Sequence, residues 1–244
     1  MTRKVTVVTG AGAPSGLGAA IARTFAKGGH HVVISGRTEG KIAAVADEIR
    51  AAGGSAEPLV LDVTDEAAVD AAFAALAERF PGEIEAVIFN AGNNRPTSIL
   101  ETTSEHFESF WRVGCFGGFL VGRAAARLLT PQGRGTILFT GASGSLRGKA
   151  NFAAFAAAKA GLRMLAQSMA RELGPNGIHV AHVIVDGVID GERIRNAWPG
   201  AVQHLGPDGM LNVDEMAANY WFLHNQPRSA WTQELDLRPH KESW

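Results

Sequence analysis

A short apolar and β-branched run, Val5–Thr9, leads directly into four closely spaced glycines, Gly10, Gly12, Gly16 and Gly18, and then into an alanine-rich helical pattern over 19–27. A run without polar alternation suits a strand covered on both faces, and the glycines supply a tight turn into the helix. The same order recurs along the chain. Strands are expected at 31–35, 59–61, 86–89, 136–139, 179–184 and 234–237. Between them, helical patterns cover 41–52, 66–80, 104–129, 152–173 and 213–224, with Thr64 or Asp65 as N-cap of the second of these. Residues 186–212 read as an irregular segment containing Gly and Pro. Strands alternating with helices predict right-handed crossovers and an α/β fold, a doubly wound parallel sheet flanked by helices. No linker divides the 244 residues, so one domain is expected, with a lid-like segment at about 188–212.

Composition narrows the function classes. Apolar residues make up 46% and charged residues 19%, which excludes a disordered chain. A net charge of −1 leaves no electrostatic footprint for nucleic acid or an anionic membrane. The lone Cys115 excludes an intrachain disulfide and fits a reducing compartment. The first strand begins at Val5, leaving no room for a signal peptide, and no apolar run approaches the roughly 20 residues of a membrane span. A cytoplasmic protein is expected.

Glycines between a strand and a helix let the backbone approach a pyrophosphate, and the helix N-terminus offers free N–H groups and the positive end of a dipole. Gly12, Ser15, Gly16, Leu17 and Gly18 are the candidates for that contact. The second strand ends Ser35-Gly36-Arg37. An acidic residue there would accept hydrogen bonds from an adenosine 2′-hydroxyl. Gly36 removes that charge and Arg37 can pair with a 2′-phosphate, so NADP(H) is expected over NAD(H). Alternatively, Arg37 stacks on adenine or is a solvated loop residue.

The glycine segment resembles the Thr-Gly-x-x-x-Gly-x-Gly motif of the short-chain dehydrogenase/reductase family, lengthened by two residues. Asp62-Val63 is similar to that family's adenine-contacting pair, and Asn90-Ala91-Gly92 matches its Asn-Ala-Gly motif beside the cofactor ribose. The resemblance covers residues 5 to about 190 and implies a Rossmann-type fold, a nicotinamide cofactor and a homodimer or homotetramer. It also implies four catalytic residues: a Tyr acid/base, a Lys that holds the ribose, a Ser that polarises the substrate oxygen, and an Asn supporting a proton-relay water. In Phe155-Ala-Ala-Ala-Lys159 only the Lys is kept. Phe155 stands for the Tyr, Ala142 for the Ser, and Gly114 for the Asn. The family's Pro-Gly after the sixth strand is Asp186-Gly187, with Val188 beside it, and Gly191 takes the place of a cofactor-contacting Thr.

A phenyl ring carries no transferable proton, and losing a general acid/base costs about 10²–10⁴ in rate. Lys159 can anchor ribose or take part in proton chemistry, and Ser143 can take over the Ser role. Tyr220, the only tyrosine, reads as core packing. Asn93, Asn94 and Arg95 can rim the pocket, Arg147, Lys149 and Asn151 can place a charge near the nicotinamide, and Asp186 can act as an acid or cap a turn. His106, His182 and His204 are scattered without metal-ligand spacing, so no metal is expected. Ile194, Trp198, Val202, Leu205 and Met210 suggest a partly apolar small-molecule substrate. Three functions remain open: an NADP(H)-dependent oxidoreductase with an altered site, a non-catalytic NADP(H) sensor or partner subunit, and an isomerase or lyase.

Overall fold

The computed structural model describes residues 4–242. Seven strands form one sheet: β1 (Lys4–Thr9), β2 (His30–Gly36), β3 (Ser55–Val60), β4 (Ile84–Phe89), β5 (Gly135–Thr140), β6 (Ile178–Val185) and β7 (Glu234–Leu237). Their order is β3-β2-β1-β4-β5-β6-β7 and every pairing is parallel. The order reverses between β1 and β4, so the first two crossovers cover one face and the next three the other, and the last, between β6 and β7, returns to the first face. A crevice therefore opens at the carboxyl ends of β1 and β4.

Burial follows from that wrapping. All eight residues of β6 are buried, as are the five of β1 after Lys4. On one face α1 (Leu17–Lys27) and α2 (Glu39–Ala51) pack Ile21, Phe25, Ile42 and Ile49 onto the sheet. On the other face α3 (Glu66–Arg79) contributes Val69, Phe73 and Leu76. Asp65, not Thr64, caps α3: its Oδ1 accepts from Ala68 N at 3.0 Å, while Thr64 Oγ1 donates to Asp62 Oδ1.

The expected third strand starts too late. β3 begins at Ser55 because it is the sheet edge, where half-exposed residues and Pro58 are tolerated. The long helix is continuous but not uniform. It consists of α4 (Ser104–Trp111), one π turn (Arg112–Phe116) and α5 (Gly117–Leu129). With the short turn that follows it spans 29 residues and is long and apolar enough to cross a membrane by that measure alone, contrary to the expectation above. Half of its apolar window is instead buried inside this protein. After it come α6 (Ala153–Leu173), α7 (Glu192–Ala197), α8 (Ala201–Leu205) and α9 (Val213–His224). The segment expected to be irregular thus holds two short helices, with Ile189 bridging Leu211 across its base. Met216, Tyr220 and Leu223 of α9 close the first core beside α1.

α5 and α6 approach closely at Gly118. A Cβ there would lie 2.3 Å from Leu162 Cδ1 and 3.3 Å from Phe89 Cε1. Alanine favours a helix interior over glycine by about 1 kcal/mol, but overpacking a core costs about 1–3 kcal/mol. With Phe89 fixed in β4, crowding wins. Gly118→Ala is expected to lower unfolding stability by about 1–2 kcal/mol, read from urea denaturation.

Candidate active site

The crevice is a cleft of ≈ 580 Å³. Its floor depends on contact between the β1 and β4 loops. Gly10 has φ +78°, and a Cβ on it would lie 2.4 Å from Ala91 N. Only a glycine permits this approach. Asn90 Nδ2 donates to Gly10 O at 3.1 Å and Asn90 N donates to Thr9 O, which ties the two loops together.

At one end of the cleft α1 begins. Gly16 is its N-cap, with no side-chain cap and no acidic residue in the first turn, so the N–H groups of the first turn face the loop uncapped. Gly12 and Leu17 line the same end, and the Cβ site on Gly12 is open space. Ser15 also lines it, but its Oγ accepts from Glu192 N at 3.2 Å, fastening the loop to α7. Gly18 packs against Ala11 and Asn90 and so sets how closely α1 meets the floor.

At the end of β2, a side chain on Gly36 would meet Ala11 O at 2.7 Å and Ile42 Cγ2 at 2.9 Å. Packing alone therefore requires glycine, and the charge argument rests on Arg37. Arg37 is exposed on the cleft wall and makes no hydrogen bond or ion pair to any described residue. Asp62 lies on the same wall. Burial alone would raise its pKa, but hydrogen bonds from Thr64 N and Oγ1 and the charges of Arg37 and Arg112 hold it below the usual carboxylate range. Val63, Ala91, Gly187 and Val188 complete the lining around it. An uncapped helix start and open backbone at Gly12 fit the pyrophosphate of a dinucleotide.

At the other end, Lys159 is 5% exposed and its Nζ donates to Thr140 O at 2.7 Å. Gly92 faces it, its Cβ site 3.4 Å from Nζ. Burial lowers the Lys159 pKa to about 8. Phe155 lies one helical turn earlier on the same cleft, its ring against Gly144. Ser143 lines the cleft with a hydroxyl that makes no hydrogen bond to a described residue. Gly114 lies apart from the lining, buried in the π turn with its Cβ site 3.1 Å from Ala158 Cβ. Cys115 is half-buried beside Gly161, and burial raises its pKa, which suits an inert thiol.

Several candidates are committed elsewhere. Asp186 is 1% exposed and is neither a free acid nor a turn cap. Both of its oxygens accept from Arg147 Nη2 at 2.9 Å, and Arg238 Nη2 lies 3.1 Å away. Arg147 is therefore pinned to β6 and does not line the cleft, and Lys149 and Asn151 are not part of its lining either. Tyr220 is fully buried against Thr140 Oγ1 at 2.8 Å, with its pKa pushed up by burial.

Sequence reasoning missed a buried relay beneath the floor. Arg163 donates twice to Glu234 at 2.7 Å, and His182 Nδ1 lies 3.2 Å from Glu234 Oε2. His182 Nε2 lies 3.3 Å from Ser145 Oγ, which accepts from Ala142 N at 3.1 Å. Burial lowers the His182 pKa to about 4, so the ring is neutral: Nδ1–H donates to Glu234 and Nε2 accepts from Ser145. The order Ser–His–Glu suggests a nucleophile, but Gly141 covers His182, its Cβ site 2.2 Å from Nε2, and Ser145 is 4% exposed. The relay holds the backbone at residue 142. No local spacing announces it, since it joins α6, β6, β7 and the loop after β5.

The buried lysine has a pH signature. A folded pKa of about 8 against an ordinary 10.5 means that the unfolded chain binds more protons between those values, so stability rises with pH across that window. The stability of the wild type relative to Lys159→Met is expected to increase from pH 8 to 10.5, measured by urea unfolding of both proteins. Tyr220 titration is common to both and cancels in the difference.

Residues 4–198 match the short chain dehydrogenase family. The chain is 34% identical over 222 residues to the 3-oxoacyl-acyl-carrier-protein reductase MabA of Mycobacterium avium, covering 89% of this chain and 82% of that protein. It is 30% identical over 192 residues to the corresponding reductase FabG of Escherichia coli, covering 79% and 76%. Among solved structures, a short-chain dehydrogenase from Rhodopseudomonas palustris superposes with a TM-score of 0.82 at 42% identity, covering 98% of this chain and 100% of that one. A metagenomic short-chain oxidoreductase in complex with NADP superposes with a TM-score of 0.82 at 28% identity, covering 98% of each chain. With a family match over residues 4–198 and a relative 34% identical over most of both chains, this chain belongs to the short-chain dehydrogenase/reductase family.

Proposed function

We propose that this protein is an NADP(H)-dependent oxidoreductase acting on a carbonyl or activated double bond without a tyrosine acid. The observation that carries the reading is the pairing of groups along one cleft. Arg37 stands unpaired at the β2 end, and buried Lys159 faces Gly92 at the other. Arg37 binds the 2′-phosphate, the α1 N-terminus and Gly12 take the pyrophosphate, and Asp62-Val63 flank the adenine. Asn90, Ala91 and Gly92 border the ribose that Lys159 holds. Gly187 and Val188, which line the cleft, would border the carboxamide. A bound nicotinamide supplies or accepts the hydride.

The chain's own residues then exclude water and manage the proton. Phe155 contributes an apolar wall. The groups near it with a transferable proton are the Ser143 hydroxyl and the Lys159 ammonium, whose pKa of about 8 lies close to neutrality. The segment 188–212 serves as the substrate lid, and Ile194 is its apolar face toward the cleft. Exposed Trp111, Phe119 and Met164 on α4, α5 and α6 support self-association as a homodimer or homotetramer. The net charge and the burial of the long helix favour neither nucleic acid nor membrane as a partner, and a cytoplasmic location accords with the lone thiol. The packing of Phe155 against Gly144 and Phe152 supports a second reading, a non-catalytic NADP(H) sensor or partner subunit.

Titration of the purified protein with NADPH and NADH, followed by a carbonyl and enone screen, separates the two. NADPH binding with turnover supports the first, NADPH binding without turnover the second, and no binding overturns both. Arg37→Ala is expected to weaken NADPH about 10–100-fold and to leave NADH nearly unchanged, the loss of one charge-assisted contact. Restoring the acid and the hydroxyl together, Ala142→Ser with Phe155→Tyr, is expected to raise carbonyl reduction by about 10²–10⁴-fold. Gly114 is left alone because Ala158 crowds any side chain there. A folded, NADPH-binding double variant with no gain would show that positions 142 and 155 do not hold those roles.

A further inference from the structure

At the opposite end of the sheet from the cleft, three potential metal ligands converge from distant parts of the chain. His30 opens β2, Glu85 lies near the start of β4, and His224 ends α9. One ligand atom from each lies within 4.8 Å of the other two. We propose that His30, Glu85 and His224 form a binding site for a divalent transition cation of the Zn²⁺ class.

The chemistry of the set supports it. Two imidazoles and one carboxylate are a zinc ligand set that leaves a fourth position for water, and imidazole disfavours Mg²⁺ and Ca²⁺. The ring geometry agrees. Two imidazoles bound through Nε2 at about 2.0–2.1 Å and a tetrahedral angle place their ring centres about 5 Å apart. The His30 and His224 ring centres are 5.2 Å apart, with the planes at 83°.

Each imidazole also has an outer partner. Thr6 Oγ1 lies 2.7 Å from His30 Nδ1, and Thr136 Oγ1 lies 3.0 Å from His224 Nδ1. With Nδ1–H donating to each hydroxyl, both Nε2 lone pairs are left for a metal, the arrangement that orients metal-binding histidines. Phe25 and Trp221 pack edge-on around His30 and shield one side. Glu85 opens the other side to solvent at 20% side-chain exposure. Lys4 and Arg134 lie 3.3 and 3.8 Å from Glu85, but both are at least half exposed and can swing away. Neighbouring ligands of tetrahedral zinc are about 3.3–3.5 Å apart, so small side-chain rotations close the site. None of the three residues lines the cleft, so the site acts as a clamp joining α9 to β2 and β4 and not as part of the hydride chemistry.

The test is titration of the untagged full chain with Zn²⁺ by calorimetry, with thermal unfolding in parallel and Co²⁺ absorption as a geometry probe. Expected are a single equivalent of Zn²⁺, a rise in melting temperature with Zn²⁺ and none with Mg²⁺, and the intense visible bands of four-coordinate Co²⁺. Glu85→Gln is exposed enough to fold and should abolish the Co²⁺ bands and weaken Zn²⁺ about 100-fold, whereas Thr136→Val should weaken it about 10–100-fold. His204→Gln, at an exposed histidine elsewhere, should change nothing. No binding, or binding undiminished in both Glu85→Gln and His224→Gln, overturns the proposal. NADPH affinity is read alongside, and it is expected to be the same with and without Zn²⁺. Failure of the metal site is therefore distinct from failure of the oxidoreductase reading.

Discussion

The close approach of Gly10 to Ala91 is the contact on which the cleft depends. It sits where the strand order reverses, and it is held by Asn90 reaching back to Gly10 O. Because the two loops touch, the start of α1 and the loop after β4 face each other across a fixed gap. Everything that lines the cleft takes its position from that gap. A side chain at residue 10 would push the loops apart by more than a rotamer change can absorb, and would also force a left-handed backbone on a residue with a Cβ.

The catalytic end differs in kind from the nucleotide end. The α1 end is built mostly from backbone and closely packed glycines. The Lys159 end depends on side chains, and there Gly114, Ala142 and Phe155 carry none with a transferable proton. Lys159 keeps its place at a cost, since burial disfavours its charged form and a single backbone carbonyl, Thr140 O, offsets only part of that. Beneath it the relay from Arg163 through Glu234, His182 and Ser145 still holds the backbone of residue 142. The frame of the site is held even though positions 114, 142 and 155 offer no polar side chain.

The order of elements was legible because parallel strands buried on both faces leave unbroken apolar runs, and the glycine turns mark where each helix begins. The candidate cofactor residues were legible because they are consecutive in sequence at the ends of strands. Legibility failed where position depends on remote packing. β3 began earlier because an edge strand needs no apolar run, and residues 186–212 hid two helices too short to show a periodicity. Asp186 read as an acid or a turn cap because its partners, Arg147 and Arg238, come from two other segments. Gly36 read as the loss of a charge, although Ala11 and Ile42 leave room for nothing else. His30, Glu85 and His224 share no ligand spacing in the sequence and meet only once β2, β4 and α9 are assembled.

The π turn at Arg112–Phe116 makes one long helix serve two masters. A π turn holds one residue more than an α turn, and each residue of an α-helix advances about 100° around the axis. The apolar stripe of α5 is therefore out of phase with that of α4. Upstream of the turn Phe110 is buried, within it Val113 looks into the cleft, and downstream Leu120, Val121 and Ala124 face the sheet. A straight helix of the same composition could satisfy only one of these surfaces. The helix is thus a rotary joint set at one angle, and a chain one residue shorter here would keep its core while turning a different side chain toward the cleft.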